Sequence, residues 1–135
     1  MCLTKSGGYK IAKEDIICFK FCVTNPDGMI ASPFYTMYWE LGKEETARKK
    51  SYDVDPTRTR YVEGGFFHTY QEKDDCRAQC VMRRALQIPY RGYSFDMFSC
   101  VIPKGSMYYE GFYNGRHAYA SKSLIIKEKL NFYEK

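Results

Sequence analysis

Hydrophobic positions fall in short runs separated by turn-forming residues, a pattern typical of β-structure. Residues 16–23 read I-I-C-F-K-F-C-V, and this density of β-branched and aromatic side chains predicts a strand. Residues 25–28, N-P-D-G, predict the turn that ends it, because proline presets φ, Asp27 bonds back to the backbone and Gly28 takes a positive φ. Residues 29–41 predict a second strand, best developed over residues 35–41.

The pattern changes at residues 71–86, which contain no Gly or Pro and a single β-branched residue, Val81. Acidic residues at the start of this segment and arginines at its end complement the helix macrodipole. Cys76 and Cys80 fall near one helical face. We therefore predict the principal helix over residues 71–86.

Strand character returns at residues 93–102. Residues 108–113 and 116–121 flank Asn114-Gly115, the pair favoured in tight hairpin turns where both residues need a positive φ. This arrangement predicts a β-hairpin. Residues 124–130 predict a final strand, with a short helix as the alternative.

Together these elements predict a compact α+β fold, mainly an antiparallel β-sheet of five to seven strands with one principal helix at about residues 71–86. A chain of 135 residues has the size of one domain, so we expect a single domain over residues 1–135, with residues 1–10 as a loose N-terminal arm. The polar residues 42–60 are expected to form an exposed connection, with a short strand around Tyr52.

Composition and charge narrow the classes of function. The net charge of +5 favours anionic partners, but the basic residues are interleaved with acidic ones, so binding to duplex DNA is not expected. The aromatic share of 17% suits a ligand face or a wet interface as well as a core. The N-terminus has no apolar signal-peptide core, and no run reaches the roughly 18 apolar residues of a membrane span. We expect a soluble, cytoplasmic protein with reduced thiols.

The six cysteines include two pairs with a four-residue spacing, Cys18 with Cys22 and Cys76 with Cys80. Each pair is predicted to lie on one face of its element, and four thiolates can bind zinc if the two pairs meet. The spacing differs from that of the usual zinc knuckle, so cysteines buried in the core are the favoured interpretation. No metal is predicted.

Histidines and a tyrosine-rich segment are the candidate ligand contacts. His68 ends a glycine-led apolar segment just before the predicted helix, where it can contact a ligand or act as a general base; a structural histidine is the alternative. In residues 107–113, strand alternation places Tyr109 and Glu110 on opposite faces. One face is expected to be core, and the other can be a stacking platform for a nucleotide, with Arg116 and Lys122 near its phosphates. A sheet packed without a ligand is the alternative.

His117 follows the predicted Asn-Gly turn and is expected to be an exposed strand residue. The chain has no phosphate-binding loop, dinucleotide fingerprint, H-E-x-x-H or nucleophile elbow. A binding role is therefore favoured over catalysis, and no catalytic residue or cofactor is predicted.

Six stretches carry a family resemblance: G-F-F-H-T-Y at residues 65–70, D-C at 75–76 in the predicted helix, C-V-I-P-K-G-S-M-Y-Y-E-G at 100–111, Y-A-S at 119–121, L-I-I at 124–126 and Y-W-E-L-G-K at 38–43. They resemble small proteins, mostly of unknown activity, from tailed phages and gut bacteria, some of them fused to pentapeptide-type repeats. The resemblance implies a phage-type protein that acts in the cytoplasm of a bacterial host.

The order of a glycine-aromatic strand, a short helix and a strand ending in a glycine turn also resembles the core of ADP-ribosyltransferase-like folds. Those enzymes arrange a histidine, a tyrosine and a glutamate around NAD. The resemblance assigns these positions to His68, Tyr109 and Glu110.

The favoured hypothesis is a small, non-enzymatic, phage-type binding protein with an anti-defence role. Its anionic partner is expected to be either a nucleotide-derived signal or a host defence protein. Its predicted ligand-binding residues are His68, Tyr109, Glu110, Lys104 and Arg116. One alternative is an NAD-using ADP-ribosyltransferase-like enzyme or a degenerate relative. The other is a structural protein whose aromatic face forms an oligomer interface.

Overall fold

The computed structural model describes residues 3–31, 38–47, 61–62, 66–86 and 94–131. Within these residues the chain forms twelve strands in one sheet and one α-helix. The elements are β1 (Leu3–Lys5), β2 (Lys10–Ile11), β3 (Ile16–Thr24), β4 (Ile30–Ala31), β5 (Tyr38–Trp39), β6 (Glu44–Thr46), β7 (Tyr61–Val62), β8 (Phe67–Tyr70), α1 (Lys73–Leu86), β9 (Ser94–Ile102), β10 (Met107–Tyr113), β11 (Arg116–Ser121) and β12 (Ser123–Leu130).

Every pairing among these strands is antiparallel. Nine strands follow the continuous order β6-β12-β9-β3-β8-β11-β10-β1-β7, while β2 pairs with β10 and β4 joins β3 to β5. The predicted α+β class with a mainly antiparallel sheet is confirmed. The strand count exceeds the expected five to seven because several strands have only two or three residues, too few to leave a hydrophobic pattern in the sequence.

The sheet is rolled, because β11 continues into β12 through Lys122 alone. These two strands are four positions apart in the sheet order, which corresponds to about 19 Å in a flat sheet. The two Cα–Cα steps across Lys122 cover only about 7 Å. We call the side of the sheet within the roll the inner face. Its buried cluster consists of Ala12, Cys18, Cys22, Ile30, Trp39, Phe67, Phe98, Cys100, Ile102, Tyr108, Tyr119, Leu124 and Ile126.

Helix α1 packs on the opposite side of the sheet, the outer face, where it contacts β3 and β9. Cys76 and Cys80 of the helix join a buried cluster with Phe21 and Met97 of those strands. The prediction of a helix over residues 71–86 is confirmed, with its start moved to Lys73. The sheet therefore has a hydrophobic core on both faces.

The N-terminal segment belongs to the sheet, in contrast to the loose arm expected for residues 1–10. Strand β1 pairs with both β10 and β7, and Leu3 is fully buried beside Tyr109. Strand β2 pairs with the start of β10. Pairing with distant strands stabilises these short segments, and such pairing leaves no local signal in the sequence.

The turn after β3 has a different bonding residue from the one predicted. Asn25 rather than Asp27 bonds back to the backbone: its Oδ1 accepts hydrogen bonds from the N–H groups of Asp27, at 3.0 Å, and Met29, at 2.8 Å. Asn25 holds the first position of the turn, from which an Asx side chain reaches the N–H groups that follow. Gly28 takes the predicted positive φ, 83°.

The hairpin of β10 and β11 forms as predicted, with Asn114 at φ 50° and Gly115 at φ 75°. Residues 124–130 extend as a strand within β12 rather than a helix. Of the strand predicted over residues 29–41, residues 32–37 lie outside the described residues, as does the short strand predicted around Tyr52.

Candidate functional site

His68 and Tyr109 lie in one row on the outer face of three adjacent strands. Both are cross-strand partners of Ala120, His68 on β8 and Tyr109 on β10. Two strand spacings, roughly 10 Å, separate their backbones. His68 is 4% exposed and Tyr109 is fully buried. The fold thus brings these two predicted residues together, in buried positions rather than in an open hollow.

Glu110 points to the other face of the sheet, as strand alternation predicted. It is half-buried, and its carboxylate accepts a hydrogen bond from the Lys10 ammonium at 3.0 Å. This hydrogen bond and the charge of Glu110 raise the pKa of Lys10. His68, Tyr109 and Glu110 therefore do not surround one ligand, the arrangement that the ADP-ribosyltransferase resemblance implies.

Arg116 and Lys104 occupy different parts of the molecule. Arg116 donates a hydrogen bond to the Asp75 carboxylate at 2.6 Å and so ties the hairpin to helix α1. Lys104 is exposed in the turn between β9 and β10, where its backbone N–H donates to the Asp15 carboxylate at 2.9 Å. Arg116 thus contributes to the packing of the helix, whereas Lys104 presents its side chain to solvent.

Lys5, Phe66, Tyr109 and Lys122 form a basic aromatic cluster, of which only Tyr109 and Lys122 were predicted as ligand contacts from the sequence. The rings of Phe66 and Tyr109 pack edge to face, with centroids 5.6 Å apart. The Lys5 Nζ lies 5.3 Å from the Tyr109 centroid, and the Lys122 Nζ lies 4.7 Å from that of Phe66. Both distances fall within the range of a cation–π interaction. Two half-buried lysines therefore each place an ammonium group over one ring of this pair.

The turn that carries Lys104 is attached to the strand junction that carries Lys122. The N–H of Ser123 donates to Ser106 Oγ at 3.1 Å, and the N–H of Lys122 donates to the Met107 carbonyl at 2.9 Å. Lys104 and Lys122 thus lie near the start of β10, whereas Lys5 pairs with Gly111 further along the same strand. Of these lysines, only Lys104 and Lys122 were predicted from the sequence as ligand contacts. Lys5 was not, because it lies in the segment expected to be a loose arm.

The inner face of the hairpin does not form one continuous stacking platform. Tyr108 packs into the core edge to face with Tyr119, at a centroid distance of 5.9 Å, and both are buried. Phe112 is exposed and contacts the His117 ring at 4.8 Å. His117 is an exposed strand residue, as predicted. Only the tip of the hairpin therefore offers an accessible ring on this side.

The two cysteine pairs lie on opposite sides of the sheet. Cys18 and Cys22 belong to the inner cluster, whereas Cys76 and Cys80 belong to the cluster under helix α1. Burial raises the pKa of Cys22 to about 12, although the charge of Lys20 acts in the opposite direction. The described cysteines are free thiols, and the described part of the chain contains no group of three or more His, Cys, Asp or Glu arranged to hold a metal ion.

The chain matches no protein-family model, no curated protein sequence and no solved structure. Within the described residues, no helix has the length and apolar character needed to cross a membrane.

Proposed function

We propose that the protein is a small non-enzymatic binding protein that recognises a nucleotide-derived anionic signal in the cytoplasm of a bacterial host. The observation that carries the proposal is the basic aromatic cluster, in which two lysine ammonium groups stand over an edge-to-face pair of rings. The net charge of +5 adds long-range attraction for an anion. The resemblance to phage-type proteins supports an anti-defence role for this binding.

Phosphate groups are the part of a nucleotide that this cluster suits best. Each ammonium has three donors, and the stems of Lys5 and Lys122 are half-buried, so less side-chain freedom is lost when they bind. Phe66 and Tyr109 are buried, so their rings orient the lysines rather than stack on a base. Lys104, exposed in the neighbouring turn, supplies a third positive charge.

Calorimetric titration with a panel of mononucleotides, dinucleotides and cyclic nucleotides tests the proposal. We expect at least one of them to release heat on binding, with an affinity that falls as salt rises, because the contacts are ionic. The absence of heat with every member of the panel would remove the small-molecule proposal and leave a host defence protein as the anionic partner.

An oligomer is the second candidate, favoured by an apolar row on the outer face in which Ile17 is exposed and Val101 and Ile125 are half-buried. Ile17 is 68% exposed and pairs across the strands with Val101, which in turn pairs with Ile125. A second copy of the chain would cover such a row. Light scattering decides between the two roles: a strictly monomeric native protein excludes the oligomer, and an oligomer dissociated by Ile17→Lys supports it.

A further inference from the structure

Lys20 lies inside the rolled sheet, an unusual position for a lysine. Lys20 is 8% exposed. It lies on the same face of β3 as Cys18 and Cys22, two residues from each, among the thiols of the inner face. Its Nζ donates a hydrogen bond of 2.9 Å to the backbone carbonyl of His68. A buried ammonium loses its hydration, and a single hydrogen bond to a neutral carbonyl does not compensate for that loss.

Two other buried hydrogen-bond donors, which have no partner among the described residues, lie on the same face. The register set by Phe19 and Tyr70 places Thr69 next to Lys20. Thr69 is fully buried, and neither its Oγ1 nor the Trp39 Nε1 has a hydrogen-bond partner in the described part of the chain. Trp39 packs on Phe67, which is two residues before Thr69 on β8, at a ring distance of 4.7 Å.

The nearby acidic groups do not neutralise Lys20. Asp96, the buried carboxylate of the described residues, bonds instead with four other side chains. Its partners are Thr24, Ser94, Arg84 and Lys129. The neighbouring Cys22 thiol stays protonated at neutral pH, because burial raises its pKa to about 12. Lys20 therefore has a buried positive charge without a negative partner among the described residues.

We propose that the inner face of the rolled sheet binds a small oxyanion through the Lys20 ammonium, with the Thr69 hydroxyl and the Trp39 indole N–H as further donors. An oxyanion supplies both the negative charge and several acceptor lone pairs. A buried water would satisfy the hydroxyl but leave the charge uncompensated. This site is separate from the basic aromatic cluster, which lies on the outer face.

Thermal denaturation in the presence of oxyanions tests the site. The native protein, Lys20→Met and Thr69→Val are heated in sodium phosphate, sodium sulfate or sodium acetate, each compared with sodium chloride at equal ionic strength. Lys13→Met is the matched control, because Lys13 is exposed. Ligand binding to the folded state raises Tm with the logarithm of ligand concentration, while general salting-out affects all four proteins alike.

We expect at least one oxyanion to raise the Tm of the native protein and of Lys13→Met by several degrees more than that of Lys20→Met, with Thr69→Val between them. Which anion acts distinguishes a phosphate or sulfate site from a carboxylate site. Equal responses of all four proteins to every anion would overturn the proposal. If Lys20→Met does not fold, Thr69→Val decides: a response identical to that of Lys13→Met contradicts the site.

Discussion

Gly111 on β10 lies directly against the carbonyl of Thr4 on β1. A Cβ added at Gly111 would stand 2.0 Å from the Thr4 carbonyl oxygen, closer than any two such atoms can approach. Gly111 is also the cross-strand partner of Lys5, the residue that places an ammonium over Tyr109. The missing side chain at this position therefore allows β1 to join the sheet and carry Lys5 into the basic aromatic cluster.

Replacement of Gly111 by alanine is expected to destabilise the fold. The clash involves backbone atoms that cannot rotate away, so we expect a loss of about 1–3 kcal/mol in the free energy of unfolding, measured by urea denaturation. Gly7→Ala is the matched control, since nothing lies within 4 Å of a Cβ there. Equal stability of the two variants would show that β1 does not approach β10 this closely.

The ion pair between Arg116 and Asp75 is expected to stabilise the contact of the hairpin with helix α1 only modestly. Both side chains are partly exposed, so a double-mutant cycle with Arg116→Met and Asp75→Asn should give a coupling of about 0.5–1 kcal/mol. High salt should reduce it by screening. The more exposed pair of Lys10 and Glu110 is the comparison and should couple less. A coupling below that of the comparison pair would contradict the role of Arg116.

Buried thiols are expected to make the fold sensitive to alkaline pH. Burial raises the pKa of Cys22 to about 12 and that of Cys80 to about 11, whereas an unfolded thiol ionises near about pH 8.5. Because the pKa values of these thiols are higher in the folded state, their contribution to the free energy of unfolding is complete below about pH 8.5. It is lost as pH rises toward the pKa values of the folded state. Each thiol should cost up to about 1.4 kcal/mol per pH unit in that window.

Urea denaturation at several pH values between 7 and 10 measures this effect. Cys22→Ala should flatten the fall in unfolding free energy above pH 9, because one buried thiol is gone. Ile126→Val is the control: it removes a methylene group from the same inner cluster, so it should lower stability equally at every pH. A native protein whose unfolding free energy does not change up to pH 10 would disprove the effect.

Sequence patterns predicted the elements whose signal is local. The helix, strand β3 and the Asn114-Gly115 hairpin each combine a periodic pattern with recognisable end signals. Strand alternation also separated Tyr109 from Glu110 correctly. What it could not show is that both faces of the hairpin are packed, because this depends on the rolling of the sheet and on the docking of β1.

The basic aromatic cluster and the buried lysine depend on contacts between distant residues. Lys5 and Tyr109 are far apart in the sequence, and only the close approach allowed by Gly111 brings them together. Lys20 interrupts an otherwise apolar strand, but alternation alone does not say which side of a sheet is enclosed. His68 and Tyr109 lie in one row because both pair with Ala120, and no local sequence signal specifies the register of that pairing.

The most direct test of the proposed function is the affinity of Lys122→Met for the nucleotide that binds the native protein best. The substitution keeps an unbranched side chain of similar length beside Phe66 and removes the charge, so we expect Kd to rise about tenfold, equivalent to about 1.4 kcal/mol. Lys127→Met, at an exposed position of β12, should bind as the native protein does. An unchanged Kd for Lys122→Met, or equal losses in both variants, would contradict recognition through the basic aromatic cluster.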